Sequence, residues 1–157
     1  MRLALFQPDI PQNLGAALRL GACLGVAVDV IEPCAFPLSD KSLKRAALDY
    51  GVLCQTKRHL SWSDFLVAPE RVQGRLVLFT TKGARPFDLF QFQPGDTLLF
   101  GQESAGAPDF VHERAQARLL IPMAAQARSL NVINAAAMAL SLALTQTHGF
   151  PSAPVSV

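Results

Sequence analysis

Residues that could hold a ligand collect in three short segments of this chain. Residues 8–15 contain Asn13 and are followed closely by Arg19. In residues 101–106, Glu103 lies between Gly101 and Gly106, and glycines let a backbone approach a ligand closely. We expect Glu103 to accept hydrogen bonds from hydroxyl or ammonium groups. A simple glycine-rich turn with a solvated glutamate is the alternative for this segment.

The third segment, residues 121–134, joins a predicted strand to a predicted helix. Pro122 removes a backbone donor and forces an irregular exit from the strand. The chain then enters the helix near Ser129, where free N–H groups favour polar ligand atoms. Asn131 and Asn134 lie three positions apart, so we expect them to face the same side of that helix. Capping accounts for Ser129 more readily than for two asparagines in an Ala/Leu helix.

Signatures of several other enzyme classes are absent or incomplete. Gly101 and Gly106 have P-loop spacing, but alanine and proline follow where Lys-Ser/Thr is required. Ser104 does not lie in a GxSxG sequence, which removes the main support for a serine esterase. The three cysteines and three histidines are scattered without the spacing of a metal site or a disulfide framework. We therefore expect no metal and three reduced cysteines.

The composition indicates one soluble domain. Half of the 157 residues are hydrophobic and 17% are charged, which provides for a substantial core. The net charge of +2 is mild, so any RNA-binding surface should be local or built by pairing two subunits. We find no signal peptide, and the longest apolar run is shorter than the ~20 residues of a membrane span. We expect a cytoplasmic protein without a membrane segment.

Alternating strands and helices position the three segments. The predicted strands cover residues 2–6, 26–31, 52–56, 75–81, 97–100 and 118–121. The predicted helices cover a segment capped by Asn13 and stopped by Gly25, residues 40–48, a segment opening at Ser61, residues 108–114 and residues 131–147. Strands that are apolar throughout indicate an α/β domain with a mostly parallel sheet. Such sheets bind ligands at the carboxyl ends of their strands, where the polar segments lie.

Taken together and in this order, the three segments resemble the SPOUT superfamily of knotted methyltransferases. The match is closest to the small tRNA 2'-O-methyltransferases that modify cytidine or uridine at nucleotide 34. It runs from Leu5 to Phe150 and includes residues 31–33, 40–41, 48–50 and 80–83. The resemblance implies a single α/β domain over residues 1–150, with helices on both faces of the sheet and a C-terminal trefoil knot. It also implies a homodimer, and we expect residues 151–157 to form a frayed tail.

The same resemblance implies S-adenosylmethionine as cofactor and tRNA as partner. The implied cofactor-binding residues are Phe79, Gly83, Gly101, Glu103, Ile121, Met123, Ser129 and Leu130. The implied catalytic residues are Asn13, Arg19, Ser129 and Asn131.

The implied reaction moves a methyl group from a sulfonium to a ribose 2'-hydroxyl. The family's proposals make the residue matching Arg19 a base or an activator. Because a guanidinium has a pKa above ~12, we prefer Arg19 as a positioner of ribose-phosphate or a stabiliser of alkoxide charge. Ser129 and Asn131 would orient the ribose.

Three positions depart from the pattern of the close relatives. Ala105 replaces an arginine, Ile133 a serine and Ser141 a tyrosine. Two other functions therefore stay open: methylation at another tRNA position or in rRNA, and an inactive RNA- or cofactor-binding protein on the same fold. Phosphate contacts could come from basic residues that are otherwise solvated surface charges. These are Lys41, Lys44, Arg45, Lys57, Arg58, Lys82 and Arg85.

Overall fold

A parallel sheet forms the centre of the protein. In the computed structural model, which describes residues 1–38, 54–82 and 85–152, seven strands belong to this sheet. They are β1 (Arg2–Phe6), β2 (Ala27–Ile31), β3 (Thr56–His59), β4 (Leu76–Phe79), β5 (Arg85–Pro86), β6 (Thr97–Phe100) and β7 (Ala117–Leu120). Their order is β3-β2-β1-β6-β4-β7-β5, and every pairing is parallel. The predicted α/β class is confirmed.

Helices cover both faces of the sheet. They are α1 (Pro11–Leu24), α2 (Trp62–Val67), α3 (Pro69–Val72), α4 (Asp109–Arg114) and α5 (Val132–Thr147), with a 3-10 turn at Phe87–Leu89. On one face, Leu18 of α1 and Leu140 of α5 belong to the larger apolar core. On the other face, Phe65 of α2 and Val111 of α4 belong to a second core. The sheet is thus buried on both sides, as its continuously apolar central strands predict.

The first helix begins earlier than predicted. Ile10 is its N-cap residue, in an extended conformation and without a side-chain cap, and Pro11 occupies the first helical position. Proline suits that position because its fixed φ matches the helix and its missing N–H would have no partner there. The prediction that Asn13 caps the helix is therefore wrong. The predicted stop is confirmed, since Gly25 adopts a left-handed φ of 65° and donates its N–H to Gly21.

Asn131 lies outside the last helix and caps it. Its Oδ1 accepts hydrogen bonds from the backbone N–H groups of Ile133 (2.9 Å) and Asn134 (3.3 Å). The expectation that Asn131 and Asn134 are two helical residues on one face is therefore wrong for Asn131. The free N–H groups of the first turn provide the physical reason, because they need an acceptor.

The third strand lies later in the chain than predicted. Its four residues, Thr56–His59, follow most of the predicted strand, and residues 52 and 53 lie outside the described part. Lys57 and Arg58 make this edge strand polar, so its sequence does not resemble a buried strand. The predicted helix over residues 40–48 and the tail beyond residue 152 also lie outside the described residues.

Ser61 caps α2 by accepting a hydrogen bond of 3.0 Å from the backbone N–H of Asp64, as predicted. Cys23, Cys34 and Cys54 form no disulfide. Among the helices that the structure describes, none is long and apolar enough to cross a membrane.

A buried carboxylate joins three strands at one side of the sheet. Asp29 of β2 accepts hydrogen bonds from Arg2 of β1 at 2.6 and 2.8 Å, and it lies 2.7 Å from Nε2 of His59 in β3. Burial acts to raise the pKa of the Asp29 carboxyl, but the hydrogen bonds with His59 and Arg2 lower it further than burial raises it. The carboxylate therefore stays ionised and holds the three strands in register.

Candidate functional site

A cavity of about 480 Å³ opens at the carboxyl ends of four neighbouring strands. Its walls come from the segments that follow β1, β6, β4 and β7, which are adjacent in the sheet. The lining residues are Ile10, Asn13, Phe79, Thr80, Thr81, Lys82, Phe100, Gly101, Gln102, Glu103, Ala105, Gly106, Ala107, Ile121, Met123, Arg128, Ser129, Leu130, Asn131, Val132 and Ala135. Its size falls within the range of small-molecule binding pockets.

The floor of the cavity is apolar. The rings of Phe79 and Phe100, which end β4 and β6, stack with centroids 4.9 Å apart and planes 11° from parallel. Both side chains are buried from bulk solvent and line the cavity. Aromatic and aliphatic floors of this kind favour the flat or apolar part of an organic ligand.

The loop after β6 closes on itself through its backbone. Gln102 and Gly106 exchange two hydrogen bonds, of 3.1 and 2.8 Å, and Gly106 has a φ of 71°. A Cβ atom at Gly101 would lie 2.4 Å from the carbonyl carbon of Gly106. Glycine is therefore required at residue 101 by the closeness of the two backbones and favoured at residue 106 by its conformation.

Asp9 and Glu103 fasten the β1 exit to this loop. The backbone N–H of Asp9 donates to Oε2 of Glu103 (3.1 Å), and the backbone N–H of Glu103 donates to Oδ1 of Asp9 (3.2 Å). The backbone N–H and the hydroxyl of Ser104 also donate to Oδ2 of Asp9. Each carboxylate thus satisfies a backbone donor of the other segment, which holds both segments in place.

Two asparagines extend this connection across the cavity. Nδ2 of Asn13 donates to Oε1 of Glu103 (2.9 Å), and Nδ2 of Asn131 donates to Oδ1 of Asn13 (3.2 Å). Because Asn131 also caps α5, one chain of hydrogen bonds runs from Asp9 to the start of the last helix. It connects the exits of β1 and β6 with the segment after β7.

The two carboxyl groups of this network have opposite pKa shifts. The hydrogen bond with Glu103, followed by those from Ser104, lowers the pKa of Asp9 to about 2. Burial, followed by the hydrogen bond with Asp9, raises the pKa of Glu103 above its usual value. As the pH rises, Asp9 therefore loses its proton before Glu103 does. Glu103 keeps its proton to a higher pH than an exposed glutamate does.

The segment after β7 forms an exposed rim. Met123 and Leu130 are 36% and 38% exposed, and Ser129, which directly precedes Leu130, is exposed as well. The backbone N–H of Ala127 bonds to the carbonyl of Ala124 at 2.9 Å, which makes a turn in this rim. Exposed apolar side chains beside a cavity are typical of a surface that a ligand covers.

Most of the residues expected from the sequence lie together at this cavity. Of the implied cofactor residues, Phe79, Gly101, Glu103, Ile121, Met123, Ser129 and Leu130 line it. Gly83 lies outside the described residues. Of the implied catalytic residues, Asn13, Ser129 and Asn131 line the cavity. Their roles remain predictions.

Arg19 lies elsewhere. It lines an open groove between α1 and α5, with Ala16, Leu20, Cys23 and Ile133 among its neighbours. Asn13 and Arg19 are six positions apart on α1, which corresponds to about 120° around the helix axis and ~9 Å along it. The two side chains therefore point to different surfaces.

Sequence reasoning missed two residues of this site. Asp9 anchors the loop after β6, and Arg128 lines the cavity. Asp9 follows a strand and a proline in a polar segment, and this position is the only sequence signal that it belongs to the site. The sequence does not show its partner Glu103, which lies 94 residues away. Arg128 lies within residues 121–134, where no local pattern distinguishes it from a surface arginine.

The network yields a prediction about Asn131. Asn131→Ala removes the cap acceptor and the donor to Asn13, so we expect the free energy of unfolding to fall by about 1–2 kcal/mol. Asn131→Asp keeps the acceptor and adds a negative charge that the helix N-terminus favours. We therefore expect Asn131→Asp to lower the free energy of unfolding by less than half as much as Asn131→Ala does. Urea unfolding measures both.

Asn134→Ala is the matched control, because Asn134 is exposed in the same helix turn and should tolerate alanine. An unchanged stability for Asn131→Ala would contradict this account. Equal losses for the alanine and aspartate variants would contradict it as well.

Comparison with known proteins gives consistent results. A protein of Beijerinckia indica named tRNA (cytidine(34)-2'-O)-methyltransferase is 51% identical over 144 residues, which cover 92% of this chain and 90% of the relative. A solved structure described as concerning the 2-OH methylation of C/U34 on tRNA is 40% identical, with a TM-score of 0.84, and the match covers 92% of this chain and 94% of that one.

A second solved structure extends the match to a larger protein. The SpoU methyltransferase AviRb from Streptomyces viridochromogenes, in complex with the cofactor AdoMet, is 27% identical with a TM-score of 0.81. That match covers 93% of this chain and 60% of AviRb. The family model described as SpoU rRNA Methylase matches residues 1–141. The chain belongs to the SpoU rRNA methylase family.

Proposed function

We propose that this chain catalyses S-adenosylmethionine-dependent 2'-O-methylation of the ribose of nucleotide 34, a cytidine or modified uridine, in tRNA. One observation carries the proposal: the residues of the three segments meet at one cavity in a chain 51% identical to a protein named for this reaction. The proposed methyltransferase domain spans residues 1–150. A tRNA-modifying enzyme meets its substrate in the cytoplasm, and we propose that compartment.

The cavity fits the cofactor in size and in chemistry. The stacked rings of Phe79 and Phe100 offer an apolar floor for the adenine or the methionine chain. Glu103 offers carboxylate oxygens to hydroxyl or ammonium groups, and the loop after β6 brings backbone groups close. S-adenosylmethionine supplies a methyl group that is activated by a sulfonium.

The chain's own residues position the acceptor. A new bond forms between the ribose 2'-oxygen and the methyl carbon as the sulfur–carbon bond breaks, and the hydroxyl proton passes to water. Ser129 and Asn131, which line the cavity, orient the ribose for an in-line approach. Arg19 stabilises negative charge on the 2'-oxygen, because a guanidinium offers several N–H donors in a planar group that suits an oxyanion.

A homodimer would bring Arg19 to a cavity. Arg19 and the apolar residues around it, including Ala16, Leu20 and Ile133, form an open groove on the surface of one chain. A second copy placed on this groove would cover its apolar surface. In such a symmetric pair the Arg19 of one chain serves the cavity of the other, which explains why it does not line its own.

The strand order supports a trefoil knot. β7 lies between β4 and β5 in the sheet and pairs with both, although β7 comes after both in the chain. We propose that the chain leaving β7 is threaded through the preceding part of the chain on its way to α5, as the resemblance implies.

The activity test uses labelled S-adenosylmethionine and total tRNA from a strain that lacks the gene. We expect a labelled 2'-O-methyl group at nucleotide 34, mapped by mass spectrometry. Label at another tRNA position, or in rRNA supplied in parallel, would contradict the substrate assignment. Cofactor binding without transfer to any RNA would contradict the enzyme assignment and favour a binding protein.

Mixed dimers test where Arg19 acts. We expect Arg19→Ala and Asn131→Ala homodimers each to lose most activity. A mixed dimer of the two, carrying different affinity tags and purified on both, contains one cavity with Asn131 and the partner's intact Arg19. We expect about half of the wild-type activity, because one of two sites is complete.

If the mixed dimer is no more active than the two mutant homodimers, Arg19 acts within its own chain. A wild-type protein that sediments as a monomer would contradict the dimer itself.

A further inference from the structure

We propose that Lys82 and Arg128 form a phosphate-binding subsite at the mouth of the cavity, which holds the RNA backbone beside the reacting ribose. The inference deepens the proposed function and rests on it. Neither side chain has a hydrogen-bond, ion-pair or ring partner among the described residues, and both are exposed and line the cavity.

Most other described cations of the sheet region are engaged elsewhere, and Arg118 of β7, which is exposed, does not line the cavity. Four form ion pairs: Arg2 with Asp29, Lys57 with Glu70, Arg58 with Glu32 and Arg75 with Asp96. Arg71 is buried and donates to the carbonyl of Gly74, and Arg85 lies over the ring of Phe90. Of the basic residues expected from the sequence to contact phosphate, Lys57 and Arg58 are thus neutralised and Lys82 is not.

The two cations belong to adjacent strand exits. The backbone N–H of Thr80, just after β4, donates to the carbonyl of Leu119 in β7 at 2.8 Å. The exits of β4 and β7 therefore run side by side, with Lys82 on the first and Arg128 on the second. Ala105 also lines the cavity and contributes no charge.

The cavity lining carries charges of both signs. Asp9 and Asn13 hold the carboxyl group of Glu103 by hydrogen bonds. Lys82 and Arg128 belong to the segments that follow β4 and β7, and both line the cavity. An anionic group entering the cavity is attracted to these two cations and repelled by Glu103, which favours one orientation of a charged ligand.

A phosphodiester is the anion that the reaction brings. The 2'-hydroxyl of a ribose is bonded to C2', and the adjacent C3' carries the 3'-phosphate. A reacting ribose at the cavity mouth therefore brings a phosphate with it. Arginine binds phosphate oxygens in a bidentate manner and lysine binds them as a point charge. The carboxylate of the cofactor's methionine part is another source of the same anionic chemistry, and the test separates the two.

The test compares Lys82→Ala, Arg128→Ala and the double variant with wild type. We expect each single change to raise the KM for tRNA roughly tenfold, as for loss of a charge-assisted contact. The slope of log affinity for tRNA against log salt should become shallower by about 0.7 for each lost contact with a single-stranded loop. The Kd for S-adenosylmethionine, measured by calorimetry, should stay within twofold.

Arg114→Ala is the matched control. Arg114 is an exposed cation at the end of α4 that does not line the cavity, so its loss should leave the KM and the salt slope unchanged. Arg128→Lys should restore part of the affinity, because it keeps the charge and loses the bidentate geometry.

Three results would overturn the inference. A weakened Kd for the cofactor with an unchanged KM for tRNA would assign the cations to the cofactor carboxylate. Unchanged values in the double variant would make both residues solvated charges, and an equal effect of Arg114→Ala would make the attraction non-specific. If wild type methylates no RNA, the proposed function fails, whereas selective loss of tRNA binding in Arg128→Ala still supports the subsite.

Discussion

The reciprocal hydrogen bonds between Asp9 and Glu103 are the interaction on which the site depends. They join two strand exits that lie 94 residues apart in the chain, and each carboxylate satisfies a backbone N–H of the other segment. Asn13 and Asn131 carry the connection to the cap of the last helix. Without it, the parallel sheet would bring the exits to one edge but would not fix their loops relative to one another.

This arrangement separates two tasks within one cavity. The interior is apolar where Phe79 and Phe100 stack and polar where Glu103 accepts hydrogen bonds, which suits a cofactor with an aromatic and a charged part. The rim is exposed and carries Lys82 and Arg128, which suits a large anionic substrate that never enters fully. The mild net charge of the chain is consistent with recognition by a few positioned cations rather than by a basic surface.

The sequence predicts the central strands well and the site contacts only in part. The predicted bounds of Thr97–Phe100 agree with the structure, because a strand covered on both faces is almost entirely apolar. The predicted third strand lies too early in the chain, because an edge strand with paired cations has no such pattern. Asn13 is a predicted site residue, but its predicted capping role is wrong, since its partner Glu103 is 90 positions away and no local pattern shows it. The contact between Asp9 and Glu103 is not predictable for the same reason.

Hydrogen–deuterium exchange with and without S-adenosylmethionine tests most directly whether the joined strand exits form the cofactor site. We predict slower amide exchange on cofactor addition in peptides covering residues 101–107 and 121–135, with peptides of β2 and β3 unchanged. Protection confined to the β2 and β3 end of the sheet, or no protection at a saturating cofactor concentration, would contradict the account.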